Sequence, residues 1–143
     1  MESLEEIIFY NLEKTVKSYR QFAQKNTLKA GSDITIDQWL VLKTFHESPT
    51  ITQQQLAKRV FKDVASVTRI IDLLIKKEYL ERNPHKQDRR RFEITITQKG
   101  LKNLIDDYPI SVSNRKKALK GITEDEIKLL QNILQKIISN VNE

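Results

Sequence analysis

Three consecutive arginines, Arg89, Arg90 and Arg91, stand in the segment NPHKQDRRRFEITIT, which covers residues 83–97. Adjacent guanidinium groups repel one another, so a turn gains no stability from carrying three of them. Arginine is planar, always charged and weakly hydrated, which suits it to phosphates and to the narrow minor groove of DNA. Asp88 lies two residues before Arg90, and we expect its carboxylate to hold that guanidinium in place. Arg89 and Arg91 should alternate to the other side and contact phosphates.

A second candidate set lies on a helix predicted over residues 64–77. Its apolar residues recur at helical spacing and predict one inward stripe: Val67, Ile70, Ile71, Leu74 and Ile75. The residues that this leaves facing outward near the start of the helix are small or hydrogen-bonding: Ala65, Ser66, Thr68 and Arg69. Such a surface lets a helix enter the major groove, where an arginine reads guanine O6 and N7. An ordinary polar helix face is the plainer alternative, but it does not explain the basic segment nearby.

Positive charge is concentrated around these two sets. The chain of 143 residues carries a net charge of +6. Residues 52–99 contain 12 Lys and Arg against 6 Asp and Glu, whereas the remaining residues contain 13 of each kind. A neutral body with one basic segment favours a polyanionic partner, and double-stranded DNA is the partner we predict.

The elements that must position these residues are marked by helix-start signals. Capping boxes are predicted to begin at Ser3, Thr35, Thr52 and Thr123. Asp63 and Thr97 are expected to cap two further helices. In every case a side-chain oxygen accepts a hydrogen bond from a backbone N–H that has no partner within the helix. The predicted short helices span residues 36–46, 53–59 and 64–77, and two strands follow near residues 80–83 and 92–96. In the second strand Phe92, Ile94 and Ile96 should point the same way. The predicted fold class is mainly α with a small β-hairpin, a winged helix-turn-helix.

Two terminal helices, over about residues 4–27 and 124–141, carry apolar stripes that need a partner surface. We predict a homodimer held by these stripes, although packing of the two helices within one chain remains the alternative. One domain is predicted over residues 1–143, with dimerisation helices in 1–30 and 98–143 and the DNA-binding region in 35–97. The predicted dimerisation residues are apolar: Phe9, Leu12, Val16, Ile127, Leu130, Leu134, Ile137 and Val141.

The chain resembles the MarR family of bacterial transcriptional regulators, named for multiple antibiotic resistance. The matching pieces are VTRIIDLLIKKEYLER, the Asp88-x-Arg90 signature of the wing, and ITITQKG leading into the next helix. The resemblance implies an obligate dimer that binds pseudopalindromic sites, usually to repress, with release by small ligands or by oxidation. It also implies a ligand position between the dimer helices and the winged domain, where the aromatic candidates are Tyr10, Tyr19, Trp39 and Phe45. A small aromatic or apolar acid is the expected ligand class.

Two departures from the family pattern bear on these expectations. Glu78 stands where many members have glycine, and a left-handed conformation there would cost about 1 kcal/mol. The chain has no cysteine, so the thiol switch of peroxide-sensing members is absent and release should not depend on oxidation.

Rival functions find less support in the sequence. His46 and His85 lie in separate segments without metal-ligand spacing, and no nucleophile elbow or phosphate-binding glycine loop is present, so we predict no enzyme, catalytic residue, metal or cofactor. A winged helix used only for protein contact is the alternative function, and it would not need charge concentrated in one segment. No apolar run is long enough to cross a bilayer and no signal peptide is evident, so a cytoplasmic protein without membrane contact is the expectation.

Overall fold

The computed structural model describes residues 1–142, and within that range it consists of six α-helices and one two-stranded antiparallel sheet. The predicted fold class, mainly α with a small hairpin in winged-helix order, is confirmed. The elements are α1 (Ile8–Lys29), α2 (Ile36–Glu47), α3 (Gln53–Arg59), α4 (Val64–Lys76), β1 (Leu80–Pro84), β2 (Phe92–Ile96), α5 (Gln98–Ala118) and α6 (Glu124–Val141). The bounds of α2, α4 and β1 differ from the predicted ones by a single residue. No helix in the described part of the chain is long and apolar enough to cross a membrane.

The predicted helix starts are confirmed for five of the α-helices. Thr35, Thr52 and Thr123 each accept a hydrogen bond from the third helical N–H, and the side-chain oxygen of the Gln or Glu at that position accepts one from the N–H of the cap residue. Asp63 accepts from the Ser66 N–H, and Thr97 accepts from the Gly100 N–H. These caps fix where α2, α3, α4, α5 and α6 begin, and therefore which residues occupy their first turns.

The predicted start of the first helix was wrong. The capping box of Ser3 and Glu6 closes a single 3₁₀ turn, Leu4–Glu6, rather than the first turn of an α-helix. Ile7 then adopts an extended conformation, φ −82° and ψ 115°, which interrupts the helical path before α1 starts at Ile8. A side-chain cap satisfies the free N–H groups of either kind of turn, so the box alone does not distinguish them.

The core lies where α2, α3 and α4 pack together under the hairpin and the start of α5. Its fully buried side chains are Ile34, Val41, Leu42, Leu56, Val67, Ile71, Leu74 and Leu80. The hairpin pairs Leu80 with Ile96 and Pro84 with Phe92. Ile94 and Ile96 pack against the core, whereas Phe92 at the far end of the same strand is mostly exposed. The wing therefore joins the core at its base and leaves it towards its tip.

The end of α4 is joined closely to the beginning of α5. A methyl group on Gly100 would lie 2.2 Å from the Tyr79 carbonyl oxygen, so only glycine permits this approach. The Thr97 hydroxyl donates to the Glu78 carbonyl at 2.7 Å, and Lys99 Nζ donates to the Lys77 carbonyl at 3.0 Å. Glu78 has φ +65°, so the left-handed conformation expected at this position is confirmed. The beginning of α5 is thus in direct contact with the turn that ends α4.

Candidate nucleic-acid interface

The first turns of α4 present the four predicted residues on the outer side of the helix. Ala65 and Arg69 are exposed, while Ser66 and Thr68 are half-buried. Arg69 Nη2 donates to Ser66 Oγ at 3.1 Å, so the guanidinium lies along the helix start. The backbone N–H of Ser66 donates to the Asp63 carboxylate at 2.7 Å, and this bond lowers the pKa of Asp63. The outward surface formed by these four residues is polar and carries no bulky side chain other than arginine, which suits a groove-binding helix.

Gln53, at the start of α3, belongs to the same surface and was missed in the sequence. Thr68 Oγ1 lies 3.3 Å from Gln53 Oε1 and 2.9 Å from the Val64 carbonyl oxygen. Gln53 therefore places an exposed amide beside the middle of α4. No sequence signal marked Gln53, because the polar residues at this point were explained by the helix cap at Thr52.

Arg82 and Asp72 attach the wing to the side of α4. Arg82 Nη2 lies 3.0 Å from Asp72 Oδ1, and the guanidinium stands 5.8 Å from the centre of the Phe92 ring. The only carboxylate on this outward stretch of α4 is thereby paired. The contact links the hairpin to the side of the helix.

The tip of the wing, residues 85–91, carries the predicted arginines into solvent. The Arg90 side chain is 93% exposed. Asp88 Oδ1 accepts from the Arg90 backbone N–H at 3.0 Å and lies 3.6 Å from Arg90 Nε. The expected ion pair is thus present, but the closer bond is to the backbone. An ion pair this exposed contributes at most about 1 kcal/mol, so Asp88 acts mainly by shaping the turn.

His85 also organises this tip, and sequence analysis did not assign it a role. Its Nδ1 accepts from the backbone N–H groups of Gln87 and Asp88, both at 3.1 Å. Nε2 lies 3.7 Å from Glu93 Oε1. Because Nδ1 accepts two bonds, the proton of the neutral ring must reside on Nε2. The imidazole thus acts as a turn cap that fixes where the following arginines stand.

Several cations near the interface are already paired, and others are not. Arg59 lies 2.7 Å from Glu47, and Lys62 lies 3.2 Å from Asp37. Among residues 1–142, Arg69, Arg89 and Arg91 lie within salt-bridge distance of no carboxylate. A polyanion would therefore meet these three arginines without first breaking an ion pair.

A cavity of about 320 Å³ lies between α1, α2 and α5. Tyr19 and Trp39 line it, and Arg20 and Arg115 stand at its edge. Two further residues predicted for such a pocket, Tyr10 and Phe45, do not line this cavity. Phe45 is 4% exposed within the core beneath α2, and Tyr10 lies near the N-terminal end of α1, outside the cavity. Tyr10 and Phe45 were predicted for the pocket only because they are aromatic and lie on α1 and α2. Their place on these helices does not determine which way each ring points.

Two buried polar side chains form the floor of this cavity, and neither was predicted. Asp107 is 6% exposed and accepts from the Ser32 hydroxyl at 2.7 Å. Burial raises the pKa of Asp107, although the Ser32 bond opposes the shift. Asn114 is 3% exposed, and its Oδ1 accepts from Asn26 Nδ2 at 3.0 Å. The cavity lining therefore holds two buried polar side chains and two cations, of which Arg20 is already paired with Asp37.

The predicted dimerisation residues lie on faces that this chain leaves uncovered. No residue of α6 is buried. Phe9, Val16, Leu130 and Val141 are exposed. The other four predicted residues are half-buried: Leu12, Ile127, Leu134 and Ile137. Alternative packing of the terminal helices on each other would bury part of α6, and that is not observed.

Within residues 1–142 no group of three or more His, Cys, Asp or Glu side chains is placed to hold a metal ion. The two histidines lie apart: His85 is in the wing tip, and His46 lines a separate groove between α2 and α5.

Comparison with known proteins places the chain among bacterial regulators. The model of the MarR family matches residues 34–92. The chain is 27% identical over 134 residues to the HTH-type transcriptional regulator SarZ of Staphylococcus haemolyticus, covering 94% of this chain and 86% of that protein. A mutant MarR from E. coli complexed with operator DNA has the same fold, with 24% identity, a TM-score of 0.81 and coverage of 96% and 99%. BpsR of Bordetella bronchiseptica, whose DNA binding is regulated by 6-hydroxynicotinic acid, also shares it, with 19% identity, a TM-score of 0.84 and coverage of 96% of both chains.

Proposed function

This chain belongs to the MarR family of transcriptional regulators, and we propose that it binds operator DNA sequence-specifically as a homodimer and represses transcription. One observation carries this proposal. The exposed, hydrogen-bonding start of α4 stands beside a wing whose arginines project into solvent, in the third of the chain that holds the excess positive charge. The E. coli relative with operator DNA supports it.

The two parts of the interface have different tasks. Arg69 at the start of α4 reads a base edge in the major groove, with guanine O6 and N7 as its best acceptors. Ser66, Thr68 and Gln53 donate to or accept from bases and phosphates around it. Arg90 enters the minor groove from the projecting tip, and Arg89 and Arg91 neutralise phosphates. Sequence is read by α4, whereas the wing supplies affinity and senses groove width.

The uncovered apolar faces of α1, α5 and α6 support the proposed homodimer. Exposed apolar side chains on these faces include Phe9, Val16, Ile105, Tyr108 and Leu130. A patch of this extent on a protein surface marks an interaction site, and a second copy of the chain has the complementary stripes. Two copies related by a two-fold axis place two α4 helices on successive major grooves. The operator should then contain two half-sites about 10 base pairs apart.

A small ligand in the cavity between α1, α2 and α5 is proposed to release the DNA. Arg115, which has no carboxylate partner among residues 1–142, suits a ligand carboxylate, and Tyr19 and Trp39 suit an aromatic or apolar body. The compound that regulates BpsR is an aromatic acid of this class. The ligand must favour a conformer in which the α4 helices are wrongly spaced, because equal affinity for both conformers shifts nothing. With no cysteine in the chain, oxidation is not part of this release.

The experiment that tests this function is the sequencing of genomic fragments retained by the purified protein at physiological salt. We expect a small set of enriched fragments that share two related half-sites about one helical turn apart. A protein-interaction module without DNA readout would retain fragments in proportion to their length, with no shared sequence. That result would remove the proposed function.

A further inference from the structure

Phe61, in the turn between α3 and α4, combines two unfavourable features. Its φ is +61°, in the left-handed region where a residue with a side chain is less stable than glycine. The residue is also 88% exposed, the highest value for any large apolar residue among residues 2–142. Helix-turn-helix turns often contain glycine, which would avoid the first of these features without altering the chain path.

Nothing within the described chain requires a phenyl ring at this position. The Phe61 N–H donates to the Lys58 carbonyl at 3.3 Å, and the Lys62 N–H donates to the Ala57 carbonyl at 2.9 Å. These bonds close the end of α3, and they involve only backbone atoms, so glycine would form them equally well. The ring itself is absent from the core cluster. A strained residue that the fold does not need is a reason to look for a function outside the chain.

The position of Phe61 indicates what the ring would meet. It lies two residues before Asp63, the cap of α4, and therefore beside the first turn that is proposed to enter the major groove. Val64 in that turn is 41% exposed and extends the apolar spot. The cations around it, Arg59 and Lys62, are paired with Glu47 and Asp37, so the spot offers apolar rather than ionic chemistry. The apolar groups of DNA within reach of such a helix are the thymine 5-methyl group and the carbons of deoxyribose.

We infer that Phe61 is a further DNA-contact residue, whose ring packs on an apolar group of the duplex at the edge of the major groove. This inference rests on the proposed function. It assigns to the turn a contact separate from the hydrogen bonds of Arg69 and from the phosphate contacts of the wing. Removing the ring should therefore weaken DNA binding while relieving strain in the free protein.

The test compares Phe61→Gly and Phe61→Leu with a control at the other end of α4. The control is Glu78→Gly, since Glu78 has φ +65° and a side chain that is 81% exposed. Both glycine variants should raise Tm by a few degrees, because both relieve a left-handed residue. Only Phe61→Gly should weaken binding, by at least about fourfold per half-site, the factor that corresponds to one buried methyl-sized group. Phe61→Leu should retain part of the affinity.

The probe is a duplex selected by the wild-type protein from a random library, in a normal form and with single thymines replaced by deoxyuridine. If the ring contacts a thymine methyl, the wild type loses affinity at one symmetric pair of replacements and Phe61→Gly shows no such loss. If it contacts deoxyribose, Phe61→Gly weakens binding to all duplexes and the replacements have no effect. Either pattern supports the inference.

Two results would overturn it. Phe61→Gly could raise Tm and bind every duplex as tightly as the wild type, which would mean that the ring touches no DNA. It could instead lower Tm together with affinity, which would assign the ring a role in the fold. If the proposed function itself is wrong, the wild-type protein will select no duplex, and this outcome differs from the two results above. The inference about Phe61 would then fail together with the proposed function.

Discussion

At the scale of single residues, the wing tip is a turn built by side-chain acceptors. Asp88 and His85 together accept three backbone N–H bonds from Gln87, Asp88 and Arg90. Arg89 and Arg91 are then positioned by the path of the backbone alone, and Arg90 has Asp88 as its one ionic partner. Under the proposed function, this turn sets in advance where the guanidinium groups meet DNA.

Replacing Asp88 separates its two contacts. Asp88→Asn keeps an acceptor for the Arg90 N–H and removes the charge beside the guanidinium, whereas Asp88→Ala removes both. Because the backbone bond is the closer one, we expect Asp88→Ala to weaken DNA binding and Asp88→Asn to bind nearly as tightly as the wild type. Fluorescence anisotropy on one duplex measures both. Equal losses in the two variants would show that the charge, and not the turn, positions Arg90.

Arg90 and Arg69 should differ in the kind of binding that they support. Arg90→Ala should weaken binding to every duplex, most of all where the flanking minor groove is A·T-rich and narrow. Arg69→Ala should lose discrimination at one base pair per half-site, worth about 1–3 kcal/mol. Affinities for a panel of single-base variants of one operator distinguish these patterns. Identical changes in specificity for the two variants would contradict the separate groove roles.

At the scale of elements, the best predicted features were those with a local cause. The caps at Thr35, Thr52, Asp63, Thr97 and Thr123 were readable because a side chain and a nearby backbone N–H determine each one. The interruption at Ile7 could not be predicted from the sequence, because the same capping box can begin a 3₁₀ turn or an α-helix.

The unpredicted features depend on tertiary structure or on an unusual residue in a turn. Gln53 lies beside Thr68 of α4 only because α3 packs across α4. Asp107 is buried only because α5 lies against the loop at Ser32. The left-handed conformation of Phe61 could not be expected from a residue type that disfavours it. Of the predicted pocket residues, Tyr19 and Trp39 line the cavity and Tyr10 and Phe45 do not, because the sequence indicated their helices but not the direction of their rings.

The contact between α5 and the loop after α1 gives a prediction about pH. Burial raises the pKa of Asp107, so the folded state binds a proton more readily than the unfolded state does. Stability must therefore fall as pH rises from the ordinary pKa of Asp to the raised one, and the ionised carboxylate destabilises the fold at neutral pH. Asp107→Asn keeps an acceptor for Ser32 and should raise the free energy of unfolding at neutral pH.

Urea unfolding of both proteins at neutral pH and at pH about 4 measures the effect. The advantage of Asp107→Asn should shrink at the lower pH, where the carboxyl group of the wild type becomes protonated. A variant that is less stable than the wild type at neutral pH would show that the carboxylate has a favourable partner in the fold.

At the scale of the whole molecule, the exposed helix α6 is the feature that the proposed dimer explains best. It is an 18-residue amphipathic helix without one buried residue, and α1 and α5 expose apolar side chains as well. An amphipathic helix in a protein gains most of its stability when its apolar face is buried against another surface. The association of two copies would therefore stabilise the terminal helices and set the distance between the two α4 helices.

A pair of matched substitutions on α6 tests the dimer. Leu130→Glu places a charge on the apolar face, and Gln131→Glu places the same charge on the neighbouring position. We expect the wild type and Gln131→Glu to sediment as dimers at micromolar concentration, and Leu130→Glu to dissociate. Removal of residues 123–143 should have the same effect as Leu130→Glu. A wild-type chain that sediments as a monomer at this concentration would contradict the dimer and with it the two-half-site operator.

The measurement that tests the central claim most directly is the affinity of the wild-type protein for its selected duplex and for a scrambled duplex over a range of salt concentrations. For a dimer that neutralises several phosphates per half-site, log affinity should fall steeply and linearly with log salt on both duplexes, with a slope of about −0.9 per phosphate contact. The selected duplex should stay tighter by at least about a thousandfold throughout. A flat salt dependence, or equal affinity for the two duplexes, would contradict the account.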